Sequence, residues 1–176
     1  MPASIPTLQT ERLCLVPLQP GDAAVLHRIY QVEGVLRYFP DTHPPALERV
    51  QRFVMRQQDH WEKYGCGNWG ILPAGENEIV GWAGLQYVPE LDETEVGYLL
   101  ARPFWGKGYA TEAARLSLEF GFTRLGFDHI IALVHPENIA SQRVLTKCRL
   151  NYMKTIPLWG IELMQYRIEK ISWGDS

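Results

Sequence analysis

Arg102-Pro103-Phe104-Trp105-Gly106-Lys107-Gly108-Tyr109-Ala110-Thr111-Glu112-Ala113 is the stretch on which the reading of this chain turns. An apolar run over 96–101 precedes it and reads as a strand; an amphipathic run over 109–125 follows and reads as a helix. Two glycines at a strand-to-helix junction let the backbone come close to a ligand with no Cβ in the way. The start of the helix aims free N–H groups and the positive end of its dipole at the same point. A junction of this composition suits an anion, most often a phosphate.

Two known phosphate loops do not fit. A Walker loop needs GxxxxGK[ST], but Ala101 stands where its first glycine belongs and Gly108 follows the lysine. The dinucleotide fingerprint GxGxxG fails at Thr111. Asp128 has the spacing of a ribose-binding acid, yet it lies at the start of a strand instead of the end of one. An NAD-type reading is therefore disfavoured.

Working outward, the chain of 176 residues is enough for one domain with a real core. It is 46% apolar and 21% charged, an ordinary globular balance. A net charge of −3 without a basic run gives no electrostatic reason to expect nucleic acid or an anionic membrane as partner. The three cysteines, Cys14, Cys66 and Cys148, match neither a metal-ligand spacing nor a disulfide framework, which points to a reducing, cytoplasmic setting. No leader-like or membrane-spanning apolar run is visible. The expected organisation is a single domain over 8–170, with tails at 1–7 and 171–176.

A first strand is expected over 12–18, then a helix capped by Asp22 and carrying Leu26, Ile29 and Tyr30. A second helix should begin near Pro44-Pro45 and end at Gly65, with Leu47, Val50, Phe53, Val54 and Trp61 at helical spacing. Strands over 68–72, 79–87 and 93–100 come next. In the helix after the glycines, Ala110, Ala113, Ala114, Ser117 and Gly121 form a small-residue face able to lie close on a sheet. A continuously apolar strand, 130–134, is expected to be covered on both faces. Asn138 then begins a helix with Ala140, Val144 and Cys148 on one side, and a hairpin turning at Trp159-Gly160 closes the chain. This is a mixed α/β order, largely antiparallel, with one crossover.

Trp105-Gly106-Lys107-Gly108-Tyr109-Ala110-Thr111-Glu112-Ala113 closely resembles the pyrophosphate loop of the GNAT superfamily of acyl-CoA-dependent N-acyltransferases. The branch it looks most like includes the ribosomal-protein alanine acetyltransferases. Thr10-Glu11-Arg12-Leu13-Cys14-Leu15-Val16-Pro17-Leu18 resembles the first strand of that branch, and Gly21-Asp22 its first helix start. Ile79-Val80-Gly81-Trp82-Ala83-Gly84-Leu85 and Thr94-Glu95-Val96-Gly97-Tyr98-Leu99-Leu100 are similar to its third and fourth strands. Asn138-Ile139-Ala140-Ser141-Gln142-Arg143-Val144-Leu145-Thr146-Lys147 is similar to its NxxSxxVxxK helix.

The resemblance implies a mostly antiparallel central sheet, flanked by helices, whose fourth and fifth strands splay apart. It implies acetyl-CoA as cosubstrate, no metal, and transfer of an acetyl group to a primary amine by direct attack. The acceptor would be a small molecule or a protein N-terminus, and the protein a monomer or homodimer. Leu99, Leu100 and Ala101 would pair with the pantetheine arm, with a main-chain N–H near Leu99 as oxyanion donor. Arg102, Trp105, Gly106, Lys107, Gly108, Tyr109 and Ala110 would form the phosphate loop. Pro103, where relatives carry Gln or Arg, has no N–H to give. Asn138 and Ser141 would reach the pantetheine and thioester end, although Asn138 also fits a plain N-cap. Glu95 is the candidate base, with Glu93 on the same face as a substitute. Ser141 could stand in as acid, because the usual tyrosine place holds Leu145. Tyr38, Trp82 and Tyr98, with Phe39 and His43, would line the acceptor site; His135 reads as structural. The alternative is an acyl-CoA sensor or interaction module without catalysis.

Overall fold

The computed structural model describes residues 4–174. In chain order the elements are β1 (Leu8–Gln9), β2 (Leu13–Pro17), α1 (Asp22–Tyr30), α2 (Leu47–Tyr64), β3 (Asn68–Pro73), β4 (Gly81–Val88) and β5 (Glu93–Leu100). They continue with α3 (Tyr109–Phe120), β6 (His129–Val134), α4 (Ile139–Lys147), β7 (Asn151–Leu158), β8 (Ile161–Glu169) and α5 (Lys170–Gly174). The strands form one sheet in the order β1-β2-β3-β4-β5-β6-β8-β7. Every neighbouring pair is antiparallel except β5 and β6, which the α3 crossover makes parallel. That pair meets at one register point, Glu95 opposite Ile131.

Each face of the sheet carries its own core. On one face α3 and α4 cover Leu15, Trp69, Leu85, Val96, Ile130 and Ala132. On the other, α1 and α2 cover Ile79 and Leu99 with Leu26, Ile29, Val50 and Val54. The small-residue face of α3 does what its composition requires: Ala113, Ala114 and Ser117 are fully buried. A Cβ on Gly121 would lie 2.7 Å from Ile130 Cδ1 and 2.9 Å from Leu85 Cδ1, so glycine lets the helix come this close without displacing either side chain.

Several local expectations change. Asp22 is the first residue of α1 and not its cap; its Oδ2 accepts the Gln19 N–H at 2.7 Å. The helix expected over 109–125 stops at Phe120, and Gly121–Leu125 form a wider π turn that left-handed Gly126 ends. On α4 the fully buried residue is Leu145, while Ala140 is exposed. The presumed tails are also partly tied down. Pro6 accepts a 2.7 Å bond from Trp69 Nε1, and Trp173 in α5 packs on Phe122. Residues 1–3 and 175–176 lie outside the described residues.

Candidate active site

Past Glu95 and Ile131 the two parallel strands diverge, and the V between them opens a cleft through the sheet. It is lined from one face by Trp82, Glu95 and Gly97 and from the other by Val96, Tyr98, Ser141 and Leu145. It encloses about 710 Å³, part of it open to solvent. The amino ends of α3 and α4 both stand at the wide end of the V, because α3 follows β5 and α4 follows β6 in the chain.

The glycine loop forms the rim. Gly106 and Gly108 have φ of +72° and +84°, left-handed values that a side chain would strain. Gly108 precedes the first turn of α3, and no side chain caps that end, so its leading N–H groups point outward unsatisfied. Lys107 lies over the Phe104 ring at 5.3 Å, and Arg102 and Pro103 sit exposed in a single 3₁₀ turn. The loop is anchored by a residue that spacing alone would not single out. Arg12 donates to Glu112 Oε2 at 2.9 and 2.5 Å and to the Lys107 carbonyl at 3.0 Å, and its guanidinium covers the Tyr109 ring. Thr10 donates to the other Glu112 oxygen.

The alternation of β5 sets which backbone groups face the cleft. Ala101 N–H donates to Val80 O at 2.7 Å, and Leu99 is paired with Trp82. Leu99 and Ala101 therefore spend their backbone groups on the β4 side. Tyr98 and Leu100 are the residues whose N–H groups turn toward β6. The Leu100 carbonyl on that side is already taken by the Trp105 indole N–H at 2.7 Å.

Glu95 sits at the closed end of the V, half-buried and facing the cleft. Burial, with a smaller contribution from the charge of Glu90, pushes its carboxyl up to about 8. Tyr98 Oη lies 2.8 Å from Ser141 Oγ, and burial raises the phenol far above its ordinary value. Asn138 caps α4 by accepting the Ser141 N–H at 3.1 Å and also faces the cleft. Leu145, 2% exposed, lines the cleft as a buried apolar side chain.

A GNAT acetyltransferase domain model matches residues 12–151. The chain belongs to the GNAT acetyltransferase family. It is 40% identical over 155 residues to the Bacillus subtilis protein YnaD, named an N-acetyltransferase without further characterisation, covering 85% of this chain and 88% of that one. It is 30% identical over 185 residues to the FsC-acetyl coenzyme A-N(2)-transacetylase of Aspergillus fumigatus, covering 96% and 78%. A solved acetyltransferase from Agrobacterium tumefaciens superposes with a TM-score of 0.83 at 27% identity, covering 94% and 95%.

As a GNAT acetyltransferase the protein needs room for an acyl-CoA, and its own features fit one: an outward-facing helix start, glycines in the left-handed region, and an open V with strand N–H groups along one arm. Among the named acceptor-site residues, Tyr38, Phe39, Trp82 and Tyr98 do line the cleft. Trp82 is fixed by donating to Tyr30 Oη at 2.9 Å. His43 does not line it; it lies on the surface, bonded to Asp41. Glu93 does not either, being held by His129 and Arg167. His135, expected to be structural, is in the cleft wall with its ring 5.4 Å from Tyr38. Trp159, not anticipated as a site residue, enters the wall from the β7–β8 turn and donates to Glu90 at 2.9 Å. Its only sequence signal is the Trp-Gly pair of a tight turn, where both residues take positive φ. Cys66 and Cys148 are buried, with thiols pushed up to about 12 and about 11, and act as core filler.

Proposed function

We propose that this GNAT enzyme is a single cytoplasmic domain over 8–170 that transfers the acetyl group of acetyl-CoA to a primary amine by direct attack. The observation that carries the reading is Glu95 at the closed end of the V, its carboxyl raised to about 8. A base in that range is matched to an ammonium, whose proton must leave before the nitrogen has a lone pair to offer. When bound, acetyl-CoA supplies the acetyl group as a thioester.

The N–H groups over Trp105, Gly106, Lys107, Gly108, Tyr109 and Ala110 hold its phosphates, with Lys107 and Arg102 adding charge. Asn138 borders the pantetheine arm, and Leu99, Leu100 and Ala101 form the strand beside it. Glu95 takes the amine proton, directly or through a water. One strand N–H on the β6 side, that of Tyr98 or that of Leu100, donates to the acyl oxygen as negative charge develops there; the two are a full pleat repeat apart, so only one serves. The 2.8 Å pair of Tyr98 Oη and Ser141 Oγ can run in either direction; with Tyr98 as donor, the serine proton is free for the departing sulfur, and a thiol of ordinary pKa about 8.5 asks little more. Trp82, Tyr38 and Tyr98 border the acceptor, a small amine or a protein N-terminus.

Calorimetric titration with acetyl-CoA, with NAD as control, followed by an amine panel read by thiol release, tests this. Micromolar binding of acetyl-CoA alone together with amine-dependent release supports it. Binding without release from any amine would make the protein an acyl-CoA-binding module, and no binding would remove the phosphate-loop assignment.

A further inference from the structure

A second hollow lies behind the Trp82 wall of the cleft, between α2 and β4. It is lined by Arg49, Arg52, Phe53, Arg56, Gln57, His60 and Gln86, and its space of about 980 Å³ includes open solvent. The α2 residues among these recur at steps of three and four, so one stripe of the helix presents them together.

The lining is unusual in charge for a chain of net −3. No carboxylate among the described residues lines it. Arg49 is neutralised by Asp41 at 2.8 Å on its rim. Arg52 and Arg56 are exposed and have no acidic partner among the described residues. The other polar groups have their acceptors already used. Gln57 is buried with Oε1 taking the Asn68 N–H at 2.9 Å, which leaves its NH₂ to be satisfied. His60 Nε2 accepts the Tyr87 N–H, so Nδ1–H donates to the Cys66 carbonyl at 2.7 Å. What remains toward the hollow is two free guanidiniums and amide donors, a set that matches an anion and repels a cation.

The hollow also adjoins the reacting end of the cleft. Phe53 rests on Trp82 with ring centroids 5.9 Å apart, so this pair is a shared wall. Gln86 is directly opposite Glu95 across β4 and β5, about 5 Å away by cross-strand spacing. A molecule whose amine reaches Glu95 can place a second group over Gln86.

From this we infer that the acceptor is an amine carrying an anionic group, a carboxylate or a phosphate, held by Arg52 and Arg56. The inference rests on the acetyltransferase reading and narrows its substrate class to amino acids, aminoalkyl phosphates and similar small zwitterions. Diamines and polyamines are the class it disfavours.

The test pairs matched amines: γ-aminobutyrate against butylamine, phosphoethanolamine against ethanolamine, and putrescine as the cationic case, with thiol release as readout. A preference in kcat/KM of about tenfold or more for the anionic member is expected from charge-assisted hydrogen bonds. In Arg52→Ala/Arg56→Ala the ratio of anionic to neutral kcat/KM should collapse toward one through KM. The carboxylate and phosphate pairs separate the two sources of charge. A second arm needs no turnover: glutarate, titrated against tryptophan fluorescence, should bind saturably to the wild type and at least about tenfold more weakly to the double variant. Equal use of neutral and anionic amines, or glutarate binding unchanged in the variant, would overturn the inference while leaving acetyl transfer intact. Turnover of none of the amines with glutarate binding lost in the variant would instead count against the acetyltransferase reading.

Discussion

Glu95→Gln separates the roles that the fold assigns to this carboxyl. The group moves from an ordinary 4.5 to about 8 on folding. At about 1.4 kcal/mol per unit that is an upper bound of about 5 kcal/mol against the ionised form, and contact with solvent through the cleft reduces it to about 2. The sign follows from proton counting. Below pH 4.5 the residue is protonated in both states and costs nothing. Between 4.5 and 8 the folded state holds more protons than the unfolded one, so stability falls as pH rises, and above 8 the full cost applies. Glutamine never ionises. Its advantage over the wild type should therefore grow by about 2 kcal/mol between pH 5 and pH 9, measured by urea unfolding of both proteins at both pH values. Turnover should move the other way: wild-type kcat/KM rises with pH through about 8, and the variant loses both that limb and most of its rate. A stability difference that stays constant with pH would refute the burial of this carboxyl. An unaltered rate profile would refute its role as base.

Arg12→Leu should weaken acetyl-CoA binding about tenfold with little change in amine KM, because it frees Glu112 to repel a phosphate at the start of α3. Calorimetry checks this, and adding Glu112→Gln should restore most of the loss. Gln165→Met should raise the unfolding free energy by about 1 kcal/mol in urea, since Gln165 is 7% exposed and its Oε1 has no hydrogen-bond partner among the described residues. Destabilisation would show that the amide is satisfied.

Much of the fold was legible because its signals are local. The glycine pair, the small-residue stripe on α3, Gly65 with φ of +68°, the Asn138 cap and the Trp159-Gly160 turn each depend on a few neighbouring residues, and all appear where the pattern puts them. The misses are places where a neighbour distant in sequence intervened. α3 gives way to the π turn at Gly121, where the helix lies so close to Leu85 and Ile130 that an added Cβ would crowd both side chains. The terminal segments are held by Trp69 and Phe122. Which strand residues face the cleft was open to a one-residue error, since alternation is visible in sequence but its phase is set by the partner strand, here through Ala101 and Val80.

The sequence by itself determined most of the order of elements, because that follows from backbone preferences and the spacing of apolar residues along short stretches, and its motifs carried the resemblance to the family. Tertiary structure alone decided what the site can do. It brought Ser141 onto Tyr98 across 43 positions, Trp159 onto Glu90 across 69, and Arg12 onto Glu112 across 100. It also opened β5 from β6 and enclosed Glu95 between them. A carboxyl's proton affinity depends on how much water and which charges surround it. That quantity exists only once the sheet has closed around the residue.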